Sequence, residues 1–236
     1  MGQGIQQPPV EQSGGNAFLD TIKVLFEPAA VFERVRARPS FFAPFLTIIA
    51  VQCVLFFVNV PYMTVAVQAQ MATAAPGRPV PSGTMLAVFG LLGLIIVLGL
   101  VFLVSGLILW VLASVLGGGE AKFGTMLSIA AYSAVPSTIL LSLVGTIVLH
   151  MQGTAGLTSP QDLQPALGLD LLAPGTKGFV GGVLKAINPF SIWGLVLTAI
   201  GVSTTQRIAK GTGYAIAAVA FVIGLLIAGG FGTFNR

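Results

Sequence analysis

The chain has 236 residues, of which 55% are hydrophobic and 8% charged, and its mean hydropathy is +0.95. An ordinary soluble domain is about a quarter charged, so this composition excludes a soluble fold with a normal polar surface. The 11 basic residues outnumber the 7 acidic ones, but they lie between apolar blocks rather than in one patch. This pattern argues against a nucleic-acid partner and favours a bilayer with anionic headgroups.

The first forty residues divide into two segments. Residues 1–17 are rich in Gln, Gly and Pro and lack an apolar core, which predicts a disordered cytoplasmic tail rather than a cleavable signal peptide. Residues 18–40 place apolar side chains at helical spacing between charged ones, with a break at Pro28. That spacing predicts an amphipathic, interfacial N-terminal helix in the headgroup plane.

Five apolar segments follow over residues 41–236, at about 41–67, 84–116, 123–149, 189–208 and 214–231. Each can supply the roughly 20 apolar residues that a spanning helix needs, so we predict an all-α, polytopic bundle of five transmembrane helices. A shorter apolar piece, Phe179 to Ile187, predicts an interfacial or a re-entrant helix. Asn188 and Pro189 after it are typical of a helix start.

The basic residues indicate the orientation of the predicted bundle. Seven lie on one side: Lys23, Arg34, Arg36, Arg38, Lys122, Arg207 and Lys210. Four lie on the other: Arg78, Lys177, Lys185 and Arg236. Since basic residues are enriched in cytoplasmic loops, we predict a cytoplasmic N-terminus and an external C-terminus. The predicted location is a membrane that the protein crosses several times.

The residues that membrane enzymes and pumps require are missing from the predicted spans. All seven acidic residues lie outside them, which removes the usual groups for proton pumping and for an intramembrane aspartyl protease. His150 has no nearby Cys, Asp or Glu to complete a metal site or to orient it as a base. We therefore predict no catalytic residue, metal or cofactor, and a protein that is not an enzyme.

A group of polar residues lies within the third predicted span. The phenol of Tyr132 would sit roughly 13 Å from the start of the span, where it needs a partner, and Pro136 frees the carbonyl of Tyr132. The preferred interpretation is a kink with a hydrogen bond between neighbouring helices. The alternative is a substrate or gating site that includes Ser133 and Ser137.

Three motifs of proline, glycine and aromatic residues accompany the spans: Pro28, Phe32 and Pro39 before Phe41 and Pro44; Gly118, Gly119 and Phe123 before Tyr132 and Pro136; Asn188, Pro189, Phe190 and Trp193 before Gly201 and Lys210. In this order they resemble the YIP-domain family, polytopic membrane proteins first known as interactors of Ypt/Rab GTPases. The resemblance covers roughly residue 18 to the C-terminus. It implies five transmembrane helices and an exposed cytoplasmic N-terminal segment.

The resemblance also implies roles in membrane trafficking and organelle shape, exerted by binding proteins rather than by catalysis. The short N-terminal tail makes the chain look more like the prokaryotic members, which implies a location in the prokaryotic inner membrane. We predict a non-enzymatic scaffold or adaptor with protein partners at the cytoplasmic face, and a homo-oligomer is compatible with this role. The candidate interaction residues are Pro28, Phe32, Gly118, Gly119, Lys122, Phe123, Tyr132, Pro136, Asn188, Pro189 and Trp193.

A rival prediction is a channel or carrier for a neutral or lipid-like solute, because helices interrupted by Gly and Pro recur at transport sites. A water-filled path bounded by Tyr132, Ser133, Ser137 and Asn59 would favour the carrier. A tightly filled bundle would favour the scaffold.

Overall fold

A computed structural model describes residues 16–74, 79 and 81–234, and the regular structure within these ranges is helical. Most of the predicted tail, residues 1–15, lies outside them. The α-helices are α1 (Ala17–Lys23), α2 (Pro28–Ala37), α3 (Phe42–Ala74), α4 (Gly83–Leu116), α5 (Phe123–Ser133), α6 (Leu141–Gln152), α7 (Gly178–Ala186), α8 (Pro189–Gln206) and α9 (Lys210–Gly232). The predicted all-α architecture is confirmed.

Four helical segments are each long and apolar enough to cross a membrane: α3, α4, α5 together with α6, and α9. Helices α7 and α8 meet the combined requirement of length and apolar character only as a pair, and they are bent by 64° at the break between them. The described part of the chain therefore contains four to five candidate spans. The apolar piece predicted as interfacial or re-entrant forms α7, which packs along α9 where Gly182 approaches Ala228.

The span formed by α5 and α6 continues through a π-helical segment, Pro136–Leu140. Proline lacks the amide that an α-helix would use at this position. In the π-helical segment the carbonyl of Pro136 accepts a hydrogen bond from the amide of Leu141, five residues further on. The disturbance predicted at Pro136 is thus a local change of helical pairing that leaves the span continuous.

The helices alternate in direction, so the termini of the described chain lie at opposite ends of the bundle. We call one end the basic end, where α1 and α2 lie, α4 turns into α5 and α8 turns into α9. It carries Lys23, Arg34, Arg36, Arg38, Lys122, Arg207 and Lys210. The opposite end, the loop end, carries the segment between α6 and α7 with its two 3-10 turns, Pro160–Leu163 and Leu169–Leu172.

The two N-terminal helices are not equivalent. The apolar face of α2 packs on α8 and α5, and Val31, Phe32 and Val35 are buried in the core of the bundle. This face therefore contacts protein, whereas the amphipathic pattern alone predicts lipid. Helix α1 keeps exposed apolar side chains, so contact of the N-terminal segment with headgroups remains a prediction, and it concerns α1.

Candidate functional site

One residue from each of the three motifs that carry the family resemblance takes part in a single contact at the basic end. The ring of Phe32 packs edge-on against Tyr132, with 6.5 Å between the ring centroids and an interplanar angle of 85°. Gly201 on α8 faces the same ring, because a Cβ placed there would lie 3.0 Å from two ring atoms of Phe32 and 2.8 Å from Ile129. One residue from each motif thus contributes to a single contact, which docks α2 between α5 and α8.

The hydroxyl of Tyr132 donates a hydrogen bond to the backbone carbonyl of Ala17, at 3.1 Å. Tyr132 is 1% exposed. The sequence predicts a partner on a neighbouring helix, and that partner is the start of α1. Because the bond joins residues 115 positions apart, it fastens the N-terminal segment to the third span.

A bidentate ion pair joins α1 to α2. The guanidinium of Arg34 donates from Nη2 to Asp20 Oδ1 at 2.6 Å and from Nε to Asp20 Oδ2 at 2.9 Å. Asp20 is 4% exposed, so it needs this partner. The hydrogen bond to Asp20 raises the pKa of Arg34 above its usual value. The arginine that sequence reasoning assigns to topology therefore also closes the hairpin of α1 and α2.

One side of the docked hairpin remains apolar and exposed. Phe18, Leu19 and Ile22 on α1 and Phe26 after it are between 53% and 79% exposed. We call these four residues the apolar ridge. Nothing in the periodicity distinguishes them from the buried residues of α2, because both sets repeat at helical spacing.

The candidate residues between α4 and α5 form a compact exposed turn. Gly118 has a φ of +68°, a backbone conformation that favours glycine, and Gly119 and Lys122 are exposed. Phe123 packs edge-on against Trp110, whose indole Nε1 donates to the carbonyl of Ala121 at 2.9 Å. This turn lies at the basic end but makes none of the Phe32–Tyr132 contacts.

The first residues of the third motif begin helix α8 at the loop end. Asn188 caps α8: its side chain accepts from the amide of Ser191 at 2.9 Å, and the Ser191 hydroxyl accepts from the amide of Asn188 at 3.0 Å. Pro189 occupies the first turn of α8, as predicted. Trp193 lies one turn further and is 37% exposed. These residues set the bend between α7 and α8, and they lie far from the basic end.

A polar cleft of about 400 Å³ lies towards the loop end between α3, α4, α6 and the loop before α7. Gln52 donates to the Thr138 carbonyl and the Ser142 hydroxyl at 2.6 and 2.9 Å. Two turns further along α3, Asn59 donates to the Thr146 hydroxyl at 2.9 Å, while its Oδ1 is buried with no partner in the described part of the chain. Asp170 and Lys185 also line the cleft.

A second cavity, the lateral cavity, has a volume of about 740 Å³ and lies between α4, α5, α8 and α9. Its walls are mostly apolar and include small residues such as Ala220, Gly224 and Ala228. Ser133 lines it, is 4% exposed, and its hydroxyl has no partner among the described residues. No pattern in the sequence predicts this cavity, because it lies between helices that are distant along the chain.

The four residues that would bound a single solute path are divided among three places. Tyr132 is enclosed by the docked hairpin, Ser133 and Ser137 line the lateral cavity, and Asn59 lines the polar cleft. In the described ranges, no group of three or more His, Cys, Asp or Glu side chains could hold a metal ion.

Comparisons with known proteins agree with this architecture. The family model of the Yip1 domain matches residues 22–231. The chain is 29% identical over 206 residues to a Bacillus subtilis (strain 168) protein named membrane protein YknW, and the match covers 85% of this chain and 84% of that relative. No solved structure matches the chain. The predicted location in a membrane, of the bacterial inner-membrane type, is confirmed by the family, this relative and the apolar helices. The chain is an integral, multi-pass membrane protein that belongs to the Yip1 domain family.

Proposed function

We propose that the protein is a non-enzymatic membrane scaffold that binds protein partners through its basic end. The observation that carries the proposal is the apolar ridge, Phe18, Leu19, Ile22 and Phe26, which is exposed on a helix that the bundle holds in place. A contiguous exposed apolar patch on an ordered helix is typical of a surface that contacts a membrane or another protein. The family and the Bacillus relative also favour a protein without catalysis.

The anchoring of α1 supports recognition by a preformed surface. The ion pair of Asp20 with Arg34 and the bond from Tyr132 to Ala17 fix the helix before any partner arrives. A partner then does not have to supply the free energy of ordering this segment, which favours affinity. Lys23 on α1 and Arg38 at the end of α2 are exposed and add an attraction to acidic groups, whether on lipid headgroups or on a protein.

The test is affinity capture of the full chain from native membranes, followed by mass spectrometry. The variant Ile22→Ser with Phe26→Ser removes half of the ridge without touching the residues that anchor α1. The matched control is Leu172→Ser, an 82% exposed apolar residue at the loop end. Proteins enriched with the native chain should be lost with the ridge variant and retained with the control. Identical recovery from all three chains would refute the proposal.

A second candidate function is the binding of a neutral solute in the polar cleft, and the observation that favours it is the unpaired, buried Oδ1 of Asn59. A solute with a hydrogen-bond donor would satisfy this atom, which otherwise carries the cost of a buried polar group without a partner. The variant Asn59→Leu should abolish a solute flux into proteoliposomes while leaving partner capture intact. A flux that is equal in both chains would exclude the cleft as its route.

A further inference from the structure

We propose that the lateral cavity is a specific binding site for one acyl chain of a membrane phospholipid, whose ester carbonyl accepts a hydrogen bond from the hydroxyl of Ser133. The proposal goes beyond the scaffold function and does not depend on it, because a lipid can occupy this cavity whether or not a protein occupies the apolar ridge.

The cavity is continuous with the surface that faces lipid. Leu100, Val101 and Val104 on α4 line it and are 44–55% exposed, and Ile227 and Phe231 on α9 do the same at 41% and 69%. Because α4 and α9 are membrane-spanning, these rim residues face hydrocarbon rather than water. The cavity therefore opens sideways into the bilayer, and its natural source of ligand is the lipid around it.

The cavity is somewhat longer than the hydrocarbon of one leaflet, so one extended acyl chain fits along it. On α9 the lining runs from Ala217 to Phe231, which corresponds to roughly 20 Å along a helix. One leaflet contributes about half of the roughly 30 Å hydrocarbon core. Small residues recur along this face of α9: Ala217, Ala220, Gly224 and Ala228. Because they have little or no side chain, they leave space for a chain against the helix.

The position of Ser133 matches the level of an ester group. Tyr132 immediately before it bonds to Ala17, in the hairpin that carries the ion pair of Asp20 and Arg34. Charged groups are costly inside the hydrocarbon, so this pair marks the headgroup level of the leaflet at the basic end. Ser133 follows Tyr132 on α5, so it lies on the hydrocarbon side of this level, towards which the ester carbonyls of phospholipids are found.

The hydroxyl of Ser133 is the polar group that a lipid would satisfy. Two other hydroxyls that line the cavity bond to the backbone of their own helices: Ser137 donates to the Ala134 carbonyl at 3.1 Å, and Thr198 to the Gly194 carbonyl at 2.9 Å. The Ser133 hydroxyl, by contrast, is buried without a partner in the described ranges. An ester carbonyl accepts a hydrogen bond and cannot donate one, so it complements a hydroxyl donor.

The test uses the full chain in vesicles of phosphatidylethanolamine and phosphatidylglycerol that contain a trace of phospholipid with a photoreactive diazirine on one acyl chain. After illumination, labelled peptides are identified by mass spectrometry. Labels should concentrate on residues 97–109 of α4 and 217–231 of α9. Labels distributed evenly over all exposed apolar faces would mean ordinary solvation by lipid and would overturn the proposal.

Two matched pairs of variants make the test specific. At Gly224 a new Cβ meets no atom within 4 Å, so Gly224→Leu should fill the cavity without a clash, and it should remove most of the labelling. Gly230 on the same helix is equally open and does not line the cavity, so Gly230→Leu should label like the native chain. Equal labelling of the two variants would overturn the proposal.

The second pair tests the hydrogen bond. Ser133→Ala should lower labelling by about threefold, the factor expected from one hydrogen bond between groups inside a membrane. Ser128→Ala is the control, because the Ser128 hydroxyl already donates to the Gly124 carbonyl at 2.7 Å and is outside the cavity. Unchanged labelling in Ser133→Ala would show that the Ser133 hydroxyl does not bond to the lipid ester, and would overturn that part of the proposal. Cross-linking to a second polypeptide instead of lipid would show that a transmembrane helix is the occupant.

Discussion

Tyr132 shows how a single side chain in a membrane span can act on a segment outside it. Its ring completes the packing of Phe32, and its hydroxyl bonds to the first residue of α1. The sequence predicts that the phenol of Tyr132 needs a hydrogen-bond partner, since a buried phenol costs free energy when it is unpaired. The partner could not be predicted, because a backbone carbonyl 115 residues away leaves no mark on local spacing.

The substitution Tyr132→Phe should release α1 while leaving the bundle folded. It removes one hydrogen bond, which contributes about 0.5–1.5 kcal/mol, and preserves the aromatic contact with Phe32. Hydrogen exchange should therefore accelerate in residues 17–23 and remain slow in residues 123–131. Tyr214→Phe, at an exposed position on α9, serves as the control. Faster exchange throughout the bundle would contradict a role confined to docking.

Gly201 allows α8 to lie close to α2 and α5, because it has no side chain. A Cβ there would press on Phe32 and Ile129, so Gly201→Ala should reduce the thermal stability in detergent, despite the higher helix propensity of alanine. Gly211→Ala on α9 has free space around the new methyl group and should show no such loss. An equal effect of both substitutions would mean that helix propensity, rather than packing against Phe32 and Ile129, determines the change in thermal stability.

At the scale of the element, local chemistry predicted some features and packing determined others. The start of α8 is at Pro189, as predicted, because a cap depends on neighbouring residues only. The π-helical form of the third span and the burial of α2 could not be predicted, because both depend on contacts between distant helices. The polar cleft depends on them too: Gln52 and Asn59 on α3 meet residues of the third span that follow Pro136.

The substitution Pro136→Ala should disturb the contact of α3 with α6. It restores an amide and removes the reason for π-helical pairing, and a return to α-helical pairing rotates the later residues by roughly 100°. The measurement uses cysteines in place of Asn59 and Thr146, in a Cys53→Ala background. A short thiol cross-linker should join these two cysteines in lower yield when Pro136→Ala is present than when Pro136 is kept. An unchanged yield would show that the tertiary contacts hold the π-helical segment without the proline.

Asp162 should make the loop between α6 and α7 sensitive to acid. Partial burial alone would raise its pKa, but four hydrogen bonds from the amides and hydroxyls of Thr158 and Ser159 outweigh it, and the pKa is lowered. With a folded-state pKa below the unfolded value, the carboxylate stabilises the loop above about pH 4, and this stabilisation is lost as the pH falls through the lowered pKa.

The substitution Asp162→Asn should therefore speed hydrogen exchange in residues 158–164 at neutral pH, and the difference from the native chain should shrink below about pH 4. The measured exchange rates are first corrected for the intrinsic dependence of amide hydrogen exchange on pH. A difference that persists at low pH would mean that the carboxylate contributes through its shape rather than its charge.

At the scale of the whole molecule, the termini of the described chain lie at opposite ends of the bundle, and seven basic residues gather at one of them. Because basic residues are enriched on the cytoplasmic side, we expect the basic end inside the cell. In a Cys53→Ala background, a cysteine at Thr154 should react with an impermeant thiol reagent added to intact cells, and one at Glu120 should not. Both positions are exposed. Labelling at Glu120 alone would reverse the orientation.

The docking of α2 has a consequence for the order in which the protein is made. Phe32 contacts Tyr132 and Gly201, so its binding pocket does not exist until α8 has been synthesised. At about 5–20 residues per second, the ribosome needs roughly 10–30 s to pass from α2 to that point. During this interval the apolar face of α2 lacks the α8 side of its binding pocket, although Arg34 can already pair with Asp20. The same segment can therefore guide insertion of the first span early in synthesis and become part of the folded core only after α8 has been made.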